Sequence, residues 1–409
     1  MVQPPSAFSS PETAHSALFP TDSRPTTSPS SSASSCAPPT LDRRKINDKI
    51  YLASSPGRQV GLFAARTLVP GERILVEAPL VVVNSAHDVA FAVDSLASQQ
   101  KKAFYELANA YEDEPTTSSE RGVFDTNAFF LGSRSSPSSS VPSSSSGIDA
   151  KHGIFTLSSR FNHSCTPNVK TSFSPSLARL VTHVLRPIAT DDELLTSYLG
   201  GPALFASTSA ERTARLQRAW AFECYCAVCA SGNAARTPSD ARRAELAQLY
   251  ERRPGVRLRE RDAPRGGGGG EIERVLRDAA RSVRLLEDEG LAVDGVEAFC
   301  LPAARACAWH GDLKAARVWA ERGWESARRA YGEGAEVERV LRAARDRPHE
   351  LVLGGRAGEK RELLRLTREL LRPSCFNSLS SSSASASSRG PRAATSERGW
   401  LGRLFRSIY

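Results

Sequence analysis

The densest chemistry in the sequence lies in FNHSC, where an amide, an imidazole, a hydroxyl and a thiol occupy consecutive positions from Asn162 to Cys165. Such a run can form a nucleophilic pair, a metal site, a cofactor-binding turn or an ordinary turn. A nucleophilic pair is disfavoured, because the base is normally brought to its thiol from elsewhere in the fold, and near neighbours rarely reach hydrogen-bonding geometry. The other three interpretations stay open on these residues alone.

A second concentration of thiols lies downstream in ECYCAVC. Cys224 and Cys226 form a C-x-C pair, and Cys229 completes the C-x-x-C spacing that is typical of thiolate zinc sites. A closed structural zinc site needs about four ligands, and Cys165 is the best candidate for the missing one, because the other cysteines lie in a tail or on helical patterns. The alternative is three unligated thiols on a surface turn, where they would be prone to oxidation.

Composition narrows the class of protein. The chain has 409 residues, a hydrophobic fraction of 40% and a net charge of +9, which is compatible with roughly two or three domains. Arginines in the C-terminal half alternate with glutamates, which favours solvated helix faces and only weak, non-specific attraction to nucleic acid. No signal peptide or membrane-spanning segment is predicted. We therefore expect an intracellular monomer in the nucleus, the cytoplasm or both.

Composition and hydrophobic periodicity divide the sequence into five segments. In order they are a disordered tail over 1–47, a strand-rich domain over 48–200, a cysteine-bearing segment over 201–232, a helical domain over 233–372 and a mostly disordered tail over 373–409. Apolar spacing predicts a helical insert at about 88–112 within the strand-rich domain, and the serine tract over 132–147 indicates a surface loop. The helical domain contains a glycine-rich linker over 266–270 and a helix pair around HGDLKAA that resembles a tetratricopeptide-type unit.

Together these motifs resemble those of SET-domain protein lysine methyltransferases, above all the SMYD-type branch and its fungal relatives. RFNHSCTPNV, DDELLTSYLG and FECYCAVC follow one another in the family's order, and GRQVGLFAARTLVPGERILVEAPL is similar to its opening strand pair. The resemblance covers roughly Lys49 to Ala230, with a looser match to the helical domain. One departure is clear: the stretch from Leu80 to Gly147 contains His87 and no cysteine. The MYND zinc finger of SMYD-type proteins is therefore absent from this stretch.

The resemblance implies an α+β protein. It predicts a β-rich SET fold with inserted helices and a zinc-binding post-SET segment, followed by an all-α, tetratricopeptide-like C-terminal region. The implied activity is transfer of a methyl group from S-adenosylmethionine to a lysine side chain of a histone or non-histone protein, with Zn²⁺ as the second cofactor. The implied partner is thus a lysine-bearing peptide or histone tail, and neither a membrane nor a specific nucleic acid.

The resemblance also assigns roles to individual residues. Gly61 and Leu62 would bring backbone close to S-adenosylmethionine, since glycine allows close approach. Asn162 and His163 would bind the methionine amine and the adenine region, and Phe222 would stack near the adenine. The zinc ligands implied by the post-SET segment are the same cysteines that the spacing selects.

Tyr198, in TSYLG, is the catalytic candidate and a further cofactor contact. Its hydroxyl would lie beside the transferred methyl group and the lysine nitrogen. The reaction moves positive charge from sulfur to nitrogen, so the protein must hold both reactants in line and supply an uncharged amine, although the pKa of a free lysine is about 10.4.

Two other functions are compatible with parts of the sequence. One is a catalytically inactive SET-fold scaffold that mediates protein–protein interaction, which the presence of Asn162, His163 and Tyr198 disfavours. The other is a nucleic-acid-binding zinc protein. A single interrupted cysteine cluster disfavours it, because DNA-reading fingers repeat their ligand pattern and carry a recognition helix.

Overall fold

The computed structural model describes residues 43–84, 88–133, 150–253, 270–293 and 295–352, together with 365, 367, 368 and 371. The predicted tail over 373–409, nearly all of the tail over 1–47, most of the serine tract and the glycines before Gly270 lie outside these residues. The prediction of a strand-rich α+β domain followed by a helical region is confirmed within them.

Short strands in several small sheets form the first part of the structure. They are β1 (Arg44–Lys45), β2 (Ile50–Ser55), β3 (Gln59–Ala64), β4 (Arg73–Glu77), β5 (Val81–Val83), β6 (Phe129–Ser133), β7 (Ala150–Ile154), β8 (Asn162–His163), β9 (Val169–Ser174), β10 (Arg179–Val184) and β11 (Leu195–Thr196). The sheet orders are β1-β2-β3, β4-β10-β9, β5-β7-β6 and β11-β8. Because β1 pairs with β2 through Arg44 and Leu52, ordered structure begins earlier than the predicted boundary at residue 48.

The pairing of β8 with β11 unites the two central motifs of the sequence. These strands are parallel, with Asn162 opposite Leu195 and His163 opposite Thr196. Asn168 secures the junction, since its amide donates to the Glu193 carbonyl at 2.8 Å and accepts from the Leu195 N–H at 2.7 Å. The NHSC and TSY motifs are therefore neighbours in space although the sequence separates them.

The buried carboxylate of Glu77 fixes the turn through which the chain enters β8. Glu77, at the end of β4, accepts hydrogen bonds from the backbone N–H groups of Leu157 and Ser158, both at 2.7 Å, and from the Ser158 hydroxyl at 2.7 Å. These donors lie at the start of the short 3₁₀ turn Ser158–Arg160, which immediately precedes Phe161. Since hydrogen bonds to an ionised group are stronger than neutral ones, Glu77 holds this turn against the sheet.

Three helices are inserted between β5 and β6: α1 (Val89–Asp94), α2 (Ser98–Tyr105) and α3 (Ser119–Asn127). The first two fall within the predicted insert at 88–112, whereas α3 was not predicted. The Ser118 hydroxyl caps α3 by accepting from the Arg121 N–H at 3.4 Å. Phe104, Val123 and Phe124 form the apolar face that packs with the β5-β7 sheet.

The remaining helices form the C-terminal part: α4 (Pro202–Phe205), α5 (Ser209–Trp220), α6 (Asn233–Arg252), α7 (Gly270–Asp288), α8 (Glu297–Trp309), α9 (Leu313–Tyr331) and α10 (Glu336–Asp346). α8 and α9 are the predicted pair around HGDLKAA, and Asp312 caps α9 by accepting from the Ala315 N–H at 2.9 Å. Their likeness to a tetratricopeptide unit stays a prediction. No helix of the described segments is long and apolar enough to cross a membrane.

The helical region shares its core with the cysteine cluster. Trp319 and Leu276 belong to the same buried apolar cluster as Cys165, Cys224 and Cys226. The helices are therefore continuous with the metal-site candidate and do not stand apart from it.

Candidate active site and metal centre

A cavity of about 1220 Å³ opens where several distant segments converge. Its walls include the turn before β3 and the start of that strand, parts of the inserted helical region and the start of β6, and three later segments, namely residues 57–60, 107–113, 126–130, 158–163, 196–198 and 220–225. The cavity therefore joins the two central motifs to the segment that leads into the cysteine cluster.

Tyr198 lies in an aromatic wall of this cavity. Its ring centroid is 5.3 Å from that of His163, 5.2 Å from that of Trp220 and 6.0 Å from that of Phe222. Its hydroxyl donates to the Phe161 carbonyl at 3.0 Å. Burial raises the pKa of Tyr198 to about 12. The phenol is therefore protonated at neutral pH and acts as a hydrogen-bonding group, not as a base.

His163 connects Tyr198 to the cysteine cluster. The side chain is 3% exposed, its Nδ1 accepts from the Tyr198 N–H at 3.0 Å, and its Nε2 lies 3.4 Å from the Cys165 Sγ. Burial lowers the pKa of His163 to about 4, so the imidazole is neutral, with its proton on Nε2 facing sulfur. Both ring nitrogens are engaged, which leaves the ring face and the backbone for any cofactor contact.

The side-chain amide of Asn162 differs in hydrogen bonding between its nitrogen and its oxygen. Its Nδ2 donates to the Val60 carbonyl at 3.2 Å and to the Glu193 Oε1 at 2.8 Å. Within the described segments, no hydrogen bond to the Oδ1 of Asn162 is found. The orientation of the amide is set by its donor end, and its acceptor end is available in the cavity.

Glu193 is a site residue that the sequence reasoning missed. Its carboxylate accepts from the Ser55 hydroxyl at 2.8 Å and from the Arg58 guanidinium at 3.2 Å, in addition to the Asn162 amide. An isolated antiparallel β-bridge between Phe63 and Glu193 places the Glu193 backbone beside β3. The only signal in the sequence is the acidic run DDE before the TSY motif, which gave no indication of its partners.

Gly61 and Leu62 are not among the residues that line the cavity, whereas residues 57–60 are; the backbone contact of Gly61 and Leu62 with the cofactor stays a prediction. Leu62 is fully buried in the core of the strand-rich part, because it pairs with Leu52 across the β2-β3 hairpin. A Cβ on Gly61 would lie 2.5 Å from the Glu193 Oε1 and 3.0 Å from the Asn162 Nδ2. Gly61 therefore makes room for the Glu193–Asn162 contact behind the cavity wall.

Phe222 reaches the cavity because α5 ends abruptly. Ala221 caps the helix in the left-handed region, with φ of 54°, and turns the chain so that Phe222 lines the cavity. The Trp220 Nε1 anchors the same turn by donating to the Thr126 carbonyl of α3 at 3.0 Å. The position of Phe222 in the cavity that Asn162 and Tyr198 also line thus depends on contacts between α5 and the insert.

The four predicted metal ligands come together. The sulfur atoms of Cys165, Cys224, Cys226 and Cys229 all lie within 4.8 Å of one another. Cys165 Sγ is 4.0 Å from Cys224 Sγ and 3.6 Å from Cys229 Sγ. A disulfide would require about 2.05 Å, whereas a tetrahedral zinc site with Zn–S bonds of about 2.3 Å separates its sulfurs by about 3.8 Å. The geometry and the all-sulfur donor set fit a soft ion such as zinc.

Comparison with known proteins gives the class to which this fold and site belong. The family model for the SET domain matches residues 59–199, which include both central motifs. Residues 59–199 therefore form a SET domain, and the resemblance of the motifs to SET-domain protein lysine methyltransferases is confirmed.

Individual relatives agree with this assignment. Histone-lysine N-methyltransferase set5 of Schizosaccharomyces pombe is 29% identical over 292 residues, which cover 71% of this chain and 81% of that protein. Protein-lysine N-methyltransferase SMYD4 of Mus musculus is 36% identical over 90 residues, or 22% of this chain and 11% of that protein. A crystal structure of a candidate histone methyltransferase from Plasmodium falciparum has 15% identity and a TM-score of 0.20, with 37% of this chain and 95% of that chain covered. A TM-score this low does not indicate a shared fold, so no conclusion is drawn from that structure.

Substitution of Gly61 by alanine tests the packing behind the cavity. A Cβ only 2.5 Å from the Glu193 Oε1 must displace that carboxylate, and overpacking of this kind costs about 1–3 kcal/mol. We expect a loss of unfolding free energy in that range, measured by urea denaturation. Gly200→Ala is the matched control, because nothing lies within 4 Å of its Cβ position. Equal stability of the two variants would contradict the packing described for Gly61.

Proposed function

We propose that this protein transfers a methyl group from S-adenosylmethionine to a lysine side chain of a protein substrate. The observation that carries the proposal is the convergence of Asn162, Tyr198 and Phe222 on one cavity in a chain that contains a SET domain. These residues are distant in sequence, and each offers a group that methyl transfer requires.

The cavity fits the cofactor and leaves room for a substrate side chain. Small-molecule sites usually enclose about 300–1,000 Å³, and this cavity encloses about 1220 Å³. The acceptor end of Asn162 suits the ammonium group of the cofactor, and Phe222 offers an aromatic face to the adenine. When bound, S-adenosylmethionine supplies a methyl group on a positively charged sulfur.

Tyr198 orients the reacting groups without taking a proton. Its hydroxyl donates to the Phe161 carbonyl. The phenolic oxygen is therefore fixed in position, and its lone pairs point away from that hydrogen bond. Dipoles fixed in this way stabilise charge that develops at a neighbouring atom. The aromatic walls formed by Tyr198, Trp220 and Phe222 lower the pKa of an inserted lysine amine by desolvation, which favours the uncharged form that attacks.

Charge at the cavity favours a cationic substrate. Three acids, Glu112, Asp113 and Glu223, line it against two arginines, Arg58 and Arg160, and the charge of Arg58 is offset by its ion pair with Glu193. The Tyr111 hydroxyl donates to the Ala219 carbonyl at 3.2 Å. This hydrogen bond holds the turn that carries Glu112 and Asp113 near the segment that carries Glu223. Acidic side chains complement a basic peptide, and a basic histone tail is our preferred substrate, as in the name of the set5 relative.

We further propose that Cys165, Cys224, Cys226 and Cys229 bind one Zn²⁺. The ion would tie the post-SET segment to the loop that contains His163, and through the His163 ring it would support the position of Tyr198.

Binding of S-adenosylmethionine to the wild type and to Asn162→Ala, measured by calorimetry, tests the proposed function first. We expect the wild type to bind and the variant to bind at least about 10-fold more weakly, because a hydrogen bond to a charged group contributes about 1.5–3 kcal/mol. Gln99→Ala, on the exposed surface of α2, is the control and should bind like the wild type. A wild-type protein that does not bind the cofactor would exclude the enzyme and leave the inactive scaffold and the nucleic-acid-binding zinc protein.

Tyr198→Phe should separate catalysis from binding. Loss of the oriented hydroxyl should reduce kcat about 100-fold, with cofactor affinity unchanged, in assays of labelled methyl transfer to histone-tail peptides. Tyr250→Phe is the control, since Tyr250 packs on Phe299 in the helical core. Full activity of Tyr198→Phe would remove the catalytic assignment.

Cys226→Ser tests the metal centre. Purified wild-type protein should contain about one zinc ion per chain, and the variant should lose most of it, measured by atomic emission. Thermal stability should fall as well, because metal binding is coupled to folding. Cys300→Ala, in the helical core away from the cluster, should keep its zinc. Equal zinc content in the wild type and Cys226→Ser would refute the ligand assignment.

A further inference from the structure

Arg212 is a fully buried arginine in direct contact with the cysteine cluster. Its exposure is 0%. Its Nε donates to the Cys165 Sγ at 3.2 Å, its Nη2 lies 3.9 Å from the Cys229 Sγ, and its Nη1 donates to the Ser207 carbonyl. The guanidinium therefore lies between two of the proposed metal ligands.

The start of α5 places this side chain. Thr208 caps the helix by accepting from the Glu211 N–H, and the Glu211 carboxylate accepts from the Thr208 N–H at 2.7 Å. This reciprocal arrangement fixes the first turn of the helix. Arg212 follows directly and points towards the sulfur atoms.

Other buried arginines of the protein have carboxylate partners. Arg243, also fully buried, pairs with Glu289 at 2.7 Å, and Arg322 pairs with Glu287 at 3.0 Å. No aspartate or glutamate of the described segments forms an ion pair with Arg212. A buried charge without a counter-ion is strongly unfavourable, so the negative charge that balances Arg212 must come from its sulfur neighbours.

Neutral thiols cannot supply that charge, whereas metal-bound cysteines can, because a coordinating thiol is deprotonated. Four thiolates around a divalent ion leave an excess of negative charge in a buried region. The Arg212 guanidinium, in contact with Cys165 and Cys229, then lies directly beside this excess charge.

We propose that Arg212 is the counter-ion of the zinc–thiolate centre and a positioning residue for metal binding. The inference rests on the zinc site proposed above and is independent of the methyl-transfer reaction. Zinc retention depends on the charge of Arg212 as well as on the four ligands. Conversely, removal of zinc leaves a buried guanidinium that has no carboxylate partner among the described residues.

The test compares Arg212→Met, Arg212→Gln and Arg212→Lys with the wild type, using zinc affinity measured by competition with a chelator. We expect the two neutral variants to bind zinc about 10–100-fold more weakly, the usual effect of losing a partner of metal ligands. Arg212→Lys should bind more tightly than both. Arg322→Met is the matched control for loss of a buried arginine and should keep wild-type zinc affinity.

Thermal unfolding with and without excess chelator provides a second readout, which a purely structural role would not produce. In the zinc-loaded state Arg212→Met should be less stable than the wild type. In the zinc-free state it should be at least as stable, because the variant no longer buries a guanidinium that lacks a carboxylate partner.

Several outcomes would overturn the proposal: equal zinc affinity of Arg212→Gln and Arg212→Lys, equal destabilisation of Arg212→Met in both metal states, or a wild-type protein that binds no zinc. If Arg212→Met does not fold, the comparison of the glutamine and lysine variants decides the question. Neither readout depends on methyl transfer, so a wrong choice of substrate cannot affect the result.

Discussion

The geometry of the site depends on one buried side chain, the imidazole of His163. It accepts the backbone N–H of Tyr198 on one side and faces the sulfur of Cys165 on the other. Burial keeps it neutral, so it can accept at one nitrogen and donate at the other. The aromatic wall and the cysteine cluster are consequently parts of one hydrogen-bonded unit.

Around this unit, buried and partly buried charges hold neighbouring segments in place. Glu77 holds the turn before β8, and Glu193 holds Asn162 and Arg58 behind the cavity wall. Arg243 joins the Cys165 carbonyl to Glu289 of the C-terminal helices. Each of these groups has several partners, which offsets the cost of removing a charge from water. The functional loops are positioned by these contacts and by apolar packing together.

The functional unit extends beyond the residues that match the SET family model. That match ends at residue 199, whereas Trp220 and Phe222 complete the cavity and three of the four clustered cysteines lie at 224–229. Contacts of α5 with the inserted helices bring this segment back over the site. The helical region shares its core with the same segment, which explains why the strand-rich part does not enclose the cavity alone.

The amino-acid sequence by itself indicated the SET domain, the strand-rich part followed by a helical part, and the cysteines that gather, because these depend on local periodicity and on motifs of close spacing. It also indicated Tyr198, Asn162 and Phe222, which share the cavity. Only the tertiary structure decided why position 61 is glycine, that His163 faces sulfur, and that Glu193 and Arg212 belong to the site. Glu193 is 31 residues from Asn162, and Arg212 is 47 residues from Cys165. Such partners are chosen by strand register and helix placement, which bring together side chains that no local pattern relates.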